Sequence, residues 1–319
     1  MVDETADPSD RITEDPVQPP HKGTRIVLPW AQDPNSLFRR RANAAAVPDD
    51  VRDRMRLALE ESLPPAMLFL RQLRQIELAI DGHVVRVLTR EVDGDEVVIK
   101  DGRQAQRWLL LRGSFGTEEK HLRERHPDLI EPARKPTVSV AIPNDFSIDG
   151  RICATLPTAE PTNLPVHVNA EFYLAADRRH LAMGMHYQKD WNSAAIDCAA
   201  QLLAGALGEL PDLLGPTRLW GALENARALT IGKQPDSVDE ALGAFWEHLK
   251  TEIPDHDLVW TSDERWVTVG DARLILTAED ESAFPSLGLR NTSKRASGLH
   301  TIVTHRLHVI RIVDNNVIW

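Results

Sequence analysis

The 319-residue chain has no excess of basic residues, almost no cysteine and no long apolar run. It carries 37 Lys and Arg against 48 Asp and Glu, a formal net charge of -11. A main partner made of nucleic acid needs a surface that neutralises phosphates, so none is expected. The two cysteines, Cys153 and Cys198, stand alone in apolar patterns. They offer neither a paired metal-ligand spacing nor a disulfide framework, so buried structural thiols and a reducing, cytoplasmic setting are expected. No stretch of about 18 apolar residues occurs, which argues against a membrane span. The opening MVDETADPSDRITEDPVQPPHKG lacks the basic and apolar regions of a signal peptide. Residues 1–22 read as a disordered acidic lead-in. There is no Gly-x-x-x-x-Gly-Lys-[Ser/Thr] phosphate loop and no internal repeat.

What is present is ordinary globular material, 42% hydrophobic and 27% charged, enough for one large domain or two. In PDDVRDRMRLALEES, Val51, Met55 and Leu59 recur at helical spacing behind Pro48. PPAMLFLRQL reads as a second short helix opened by Pro64 and Pro65. From Arg74 the period changes. IELAI, HVVRVLTREV, EVVIK and QRWLLLR are strand-like and separated by Asp81-Gly82, Asp93-Gly94 and Asp101-Gly102, which predicts an antiparallel meander. A polar helix near Thr117–His126 follows, then the strands VSVAI and GRICATL.

LPTAEPTNLPVHVNAEFYLAADRRHL begins as a proline-broken loop and becomes an alternating strand. Val166, Val168, Ala170, Phe172 and Leu174 share one face, expected to be core. His167, Asn169, Glu171 and Tyr173 share the other, expected to meet water or a partner. Asp177 is placed to cap a helical turn carrying Arg178 and Arg179. The bland reading of these two cations is a cap or surface ion pairs with Asp177 or Glu171. His167, Glu171, His180 and His186 do not make a convincing metal set, and none is expected. The segment DWNSAAIDCAAQLLAGALGEL has a helical stripe with Asn192 as its cap. Beyond Leu210–Gly215, where a domain boundary is expected, helices are predicted near Thr217–Arg227 and Val238–Lys250. A short hairpin LVWTSDERWVTV and a helix from Asp271 come next. The basic tail ends in an apolar strand-like run, expected either to be truncated or to need a partner strand.

These stretches resemble a known family. GTRIVLPW is similar to the closing strand of a GHKL-type ATPase domain. MLFLRQLRQIEL, GRICATLPTAEPTNLPVHVNAEFYLAADRRHL and DWNSAAIDCAAQLLAGAL resemble the region that follows this domain in sacsin-like proteins, in the same order. LWGALENARAL, FWEHL and ERWVTVGDARLI are similar to the continuation of sacsin repeats. The resemblance covers roughly residues 23–279 and is strongest between Leu156 and Leu210. It implies an α+β fold: a mixed or antiparallel sheet with packed helices, like the middle domain of the ninety-kilodalton heat-shock chaperones, over residues 45–212. It also implies an ATPase remnant and linker at 23–44 and a mainly helical, sacsin-repeat-like region at 213–319.

The resemblance further implies a role for the arginines. In those chaperones a middle-domain arginine after a Leu-Pro-hydrophobic-Asn strand reaches the ATP γ-phosphate, and here Arg178, with Arg179 beside it, holds the matching place. The nucleotide site itself is missing: there is no Glu/Asn magnesium helix, no Asp-x-Gly-x-Gly turn and no glycine-rich lid. ATP and magnesium are therefore expected only through a GHKL domain outside these residues, in cis or in trans, with a protein client as the further partner. A motor upstream in a longer gene or in another chain is expected. The other reading is a stand-alone, non-catalytic interaction module or a subunit of a bacterial multi-protein system, binding through the polar strand face (His167, Asn169 and Glu171) and the tryptophan-rich region.

Overall fold

The computed structural model describes residues 50–80, 83–102, 104–144, 146–261, 264–272, 311–313 and 316–318. GTRIVLPW and all but the first two residues of the helix expected from Asp271 lie outside them. The chain divides into two units, residues 1–61 and 62–319. Helix α1 (Val51–Phe69) runs without interruption through Pro64 and Pro65, so the prolines do not start a second helix. Proline's φ is already helical; its cost is the missing N–H and the clash with the preceding turn. The division between units falls just before these prolines.

The second unit is built on an eight-stranded sheet with helices, a mixed α+β arrangement. Its strands are β1 (Gln75–Ile80), β2 (His83–Asp93), β3 (Glu96–Asp101), β4 (Gln104–Ser114), β5 (Thr137–Asn144), β6 (Arg151–Ala154), β7 (Leu156–Pro161) and β8 (His167–Ala170). Their order is β1-β2-β3-β4-β5-β8-β6-β7. The expected meander is there: β1 to β4 pair antiparallel in sequence order. Gly94 and Gly102 open their turns at φ +57° and +59°, a region that glycine enters at no steric cost. β6 pairs parallel with β8, and every other pair is antiparallel. LPTAEP, expected as loop, is β7. It is the outermost strand, where Pro157 and Pro161 cost no ladder bond on the open side.

Both faces of the central strands are covered. On one face Val138, Val140, Ile142, Ile152, Val168 and Ala170 pack under the helical layer. That layer comprises α2 (Gly116–Arg125), α3 (His186–Gly205), α4 (Leu210–Ala228), α5 (Val238–Leu242) and α6 (Ala244–Glu252). α3 lies on β4 and β5 and against α6. α4 is bent at Gly215, whose φ is 69°. Leu210 and Leu214, where the sequence suggests a boundary, are buried in this same core. On the other face Leu88, Val97, Ile99, Trp108, Leu110 and Ala141 pack with Met67, Leu68 and Phe69 at the end of α1. This double burial explains why consecutive residues of β5, from Val138 to Pro143, are all buried rather than alternately so.

β9 (Asp257–Trp260) and β10 (Trp266–Thr268) form the expected hairpin. The terminal strand-like run pairs with itself, β11 (Arg311–Val313) against β12 (Asn316–Ile318).

Gly150 enters β6 where the backbone of the 162–166 loop crosses it. A Cβ there would lie 2.1 Å from the Leu164 and Val166 carbonyl oxygens. Gly150→Ala should therefore lower stability by about 3 kcal/mol, read from urea midpoints at constant slope.

Candidate functional site

The two adjacent arginines sit at the tip of a tight turn held at its base from several sides. β8 ends at Ala170, so the strand is shorter than its alternation predicts. The chain continues through Phe172 and Tyr173, reverses, and bridges back at Leu174–Leu181. Ala175 N–H donates to the His180 carbonyl (2.8 Å), Ala182 N–H to the Tyr173 carbonyl (2.9 Å) and Arg178 N–H to the Ala175 carbonyl (2.9 Å).

Asp177 caps this turn, but no helix follows it. Its carboxylate accepts the N–H groups of Arg179 (2.9 Å) and His180 (3.2 Å) and pairs with the His180 ring at 2.6 Å. The Arg179 N–H, with the His180 ring, holds the Asp177 carboxyl down to about 2. Arg178 adopts φ 54°, a left-handed conformation that a non-glycine residue keeps only where its surroundings impose it.

The mount behind the turn comes from α3. Asn192, expected as the cap of that helix, lies inside it and is fully buried. Its amide oxygen accepts Tyr173 N–H at 2.8 Å, and its amide nitrogen donates to the carbonyls of Tyr173 (2.9 Å) and Ala182 (3.0 Å). Trp191, also fully buried, donates its indole N–H to the Glu171 carbonyl at 3.0 Å. The Arg134 guanidinium donates to the same carbonyl (2.6 Å) and stacks 3.7 Å over the Tyr173 ring. From the sheet, Ala159 N–H donates to the Arg179 carbonyl at 2.7 Å.

Arg178 and Arg179 are both exposed. Neither guanidinium makes an ion pair or a side-chain hydrogen bond among the described residues; Asp177 pairs with His180, and Glu171 accepts the Lys135 N–H at 2.8 Å. The surface ion pairs considered from the sequence are thus not formed.

The other predicted site residues are not brought to this tip. His167 is 4% exposed, not on a wet face. The second core covers that side of β8, and the ring stacks on Trp108 with centroids 5.4 Å apart. Its Nδ1 accepts Arg151 N–H at 3.0 Å. Burial, with the Arg151 charge, pushes the imidazole down to about 4. Asn169 is half-buried, and its side-chain oxygen accepts Thr155 N–H at 2.8 Å. Glu171 alone of the three is exposed. No group of three His, Cys, Asp or Glu side chains among the described residues is placed to hold a metal ion. Burial pushes the thiol of Cys153 up to about 12 and that of Cys198 to about 11.

A cavity of about 830 Å³ opens beside the turn; Ala159, which holds Arg179, is part of its wall. Arg151, Arg218 and Lys233 face it together with Asp149 and Asp239. Desolvation lowers the Lys233 pKa, against the pull of Asp239. These cations come from β6, from α4 and from the loop that follows α4, and share no local spacing, so no sequence signal joins them.

No family model matches the sequence, and no curated protein or solved structure matches it either.

Two outcomes follow from this geometry. Asn192→Ala removes three hydrogen bonds and leaves buried backbone groups unpaired; stability should fall by about 3 kcal/mol in chemical denaturation. His167 stays neutral in the fold, whereas the unfolded residue titrates near 6.5. Between those values the unfolded chain binds the extra proton, so stability is complete above about pH 6.5 and falls as pH drops toward 4, by on the order of 3 kcal/mol. His167→Gln should flatten that slope when urea midpoints are compared at both ends of the window.

Proposed function

We propose that this chain is the transducer part of a sacsin-like, chaperone-type ATPase. On this reading it presents Arg178, with Arg179 beside it, to the γ-phosphate of ATP held by a GHKL domain outside the described residues. It couples the nucleotide state to a protein client through the middle-domain-like region and the helical, sacsin-repeat-like region beyond it. The observation that carries this reading is the pair of guanidinium groups without partners among the described residues, on a turn whose backbone is held by α3, Arg134 and β7.

The residues present fit one end of the nucleotide. Free guanidinium groups suit the oxygens of a terminal phosphate, which they meet through paired N–H donors. Magnesium-bound ATP supplies the phosphoryl bond that is broken; magnesium and adenine would be held by the GHKL domain. This chain's part is charge neutralisation at the phosphate oxygens. An arginine delivered from another domain contributes about 10³–10⁵ in rate in GTPases. Such a residue must be held still, because any ordering of its loop on docking would subtract from the gain. The bonds at the base of the turn meet that requirement.

A second reading, a non-catalytic interaction module, is favoured by one surface. Val85 and Val87, on one face of β2, are 52% and 37% exposed beside the outermost strand β1. Isolated exposed valines are ordinary, but two on one strand face next to the edge strand suit a protein partner.

The test separates the two. Arg178→Gly also relieves the left-handed strain, so the variant should be as stable as the parent or about 1 kcal/mol more so. ATP turnover by the assembled ATPase should nevertheless fall by about 10³. Unchanged turnover removes the arginine assignment. Loss of partner capture by Val85→Lys with turnover indifferent to Arg178 would favour the interaction module.

A further inference from the structure

The sheet face sealed by the end of α1 opens at one side into a smaller cavity of about 250 Å³. Among the described residues its polar lining is Arg71, Arg90, Arg112, Ser139 and Asn169, with no carboxylate. The strand registers fix most of this set. Arg112 on β4 pairs with Ser139 on β5, and Ser139 pairs with Asn169 on β8, so the three form one row across adjacent strands. Residues opposite one another in a sheet share a face at the inter-strand spacing of about 4.8 Å. Arg90 reaches the cavity from β2, and Arg71 from the segment that follows α1.

Arg112 donates to Asp95 and to the Leu110 carbonyl, but several of the other donors have no protein partner among the described residues. Ser139 is 4% exposed, yet its hydroxyl makes no side-chain hydrogen bond among the described residues. The Arg90 Nε–H is buried and has no partner; its Nη2 reaches only the Leu68 carbonyl, at 3.4 Å. Asn169 spends its oxygen on Thr155 N–H, and its amide nitrogen donates to no protein group among the described residues. Of the three cations, Arg112 has a carboxylate partner in Asp95, at 2.5 Å. Burial, then the like charges of Arg112 and Arg71, lowers the pKa of Arg90. Buried donors are normally satisfied, and clustered like charges cost stability when nothing neutralises them. A site that keeps both defects at one point is arranged for something that accepts hydrogen bonds and carries negative charge.

We infer that this cavity is a binding site for a tetrahedral oxyanion, a phosphate group, held by Arg71, Arg90, Arg112, Ser139 and Asn169. The volume is below the range of about 300–1,000 Å³ common for whole ligands, which fits a phosphate rather than a nucleotide. Phe69 and Leu110 form an apolar wall beside the cations. That wall leaves room for a small organic substituent, so the phosphate can arrive free or as the phosphate of a small monoester. The site is on the face of the sheet opposite α3 and does not depend on the role given to Arg178.

The experiment is calorimetric titration of the full chain with inorganic phosphate and with phosphoserine at low salt, alongside thermal unfolding. Saturable binding with Kd near or below about 1 mM, weakened by added salt, is expected. Similar affinities assign a free-phosphate site, and tighter phosphoserine assigns a monoester site; either supports the inference. Arg90→Met should raise the melting temperature of the unliganded chain, because it removes a buried like charge, and should weaken phosphate binding at least about tenfold. Ser139→Ala should weaken binding several-fold with little change in unfolding, which keeps the test decisive if the first variant folds poorly. Absence of saturable binding, or affinity unchanged in Ser139→Ala and Arg90→Met, overturns the site.

Discussion

The amide of Asn192 is the contact on which the candidate site depends. One buried side chain, within a helix, accepts from one backbone N–H and donates to two carbonyls of the segment that carries the arginine turn. Backbone groups in a chain reversal have no ladder to join and must find partners elsewhere when buried. Here a single amide supplies them, because it alone among neutral side chains offers donors and an acceptor in one plane. Trp191, the preceding residue, fixes the Glu171 carbonyl two residues before Tyr173, so two consecutive residues of α3 hold both strands of the turn. The helix could not do this from a distance. It is pressed onto β4 and β5, with Ala195, Ala199 and Ala200 at no more than 0% exposure in the core.

From that contact follows a division of labour between the two faces of the sheet. The helical face holds the large core and the mount of Arg178 and Arg179. The opposite face holds the smaller core around Trp108, closed by the end of α1. Where that cover stops, the same row of strands turns polar and presents Arg112, Ser139 and Asn169 to a cavity. A net charge of -11 over the whole chain thus coexists with two local groups of arginines. Net charge describes the average field; sites are made by what the registers bring together.

Much of the sheet was legible beforehand. Asp-Gly pairs between apolar runs marked the turns of the meander, because glycine alone enters those dihedrals freely. The Val166–Phe172 stripe was legible as core for the same reason of strand periodicity. His167 was not, because period 2 says which residues share a face and nothing about what covers it. Asn192 looked like a cap, since an asparagine before an apolar stripe is the local signature of one; the preceding helical turn, His186–Trp191, lacks that signature. Pro157 in β7 looked like loop, and only an edge position made it acceptable in a strand.

What the sequence determined by itself is local: the turns, the alternating strands, the helical stripes, and the adjacency of Arg178 and Arg179. Each depends on residues within a few positions of one another, where backbone sterics and periodicity decide. Which side chains would be buried, left without partners or gathered into a cavity was decided by tertiary structure. Arg71, Arg90, Arg112, Ser139 and Asn169 meet because α1 ends where it does and because β8 is inserted between β5 and β6. The free energy that fixes those choices is the burial of apolar surface on both faces of one sheet, a quantity that belongs to no single segment.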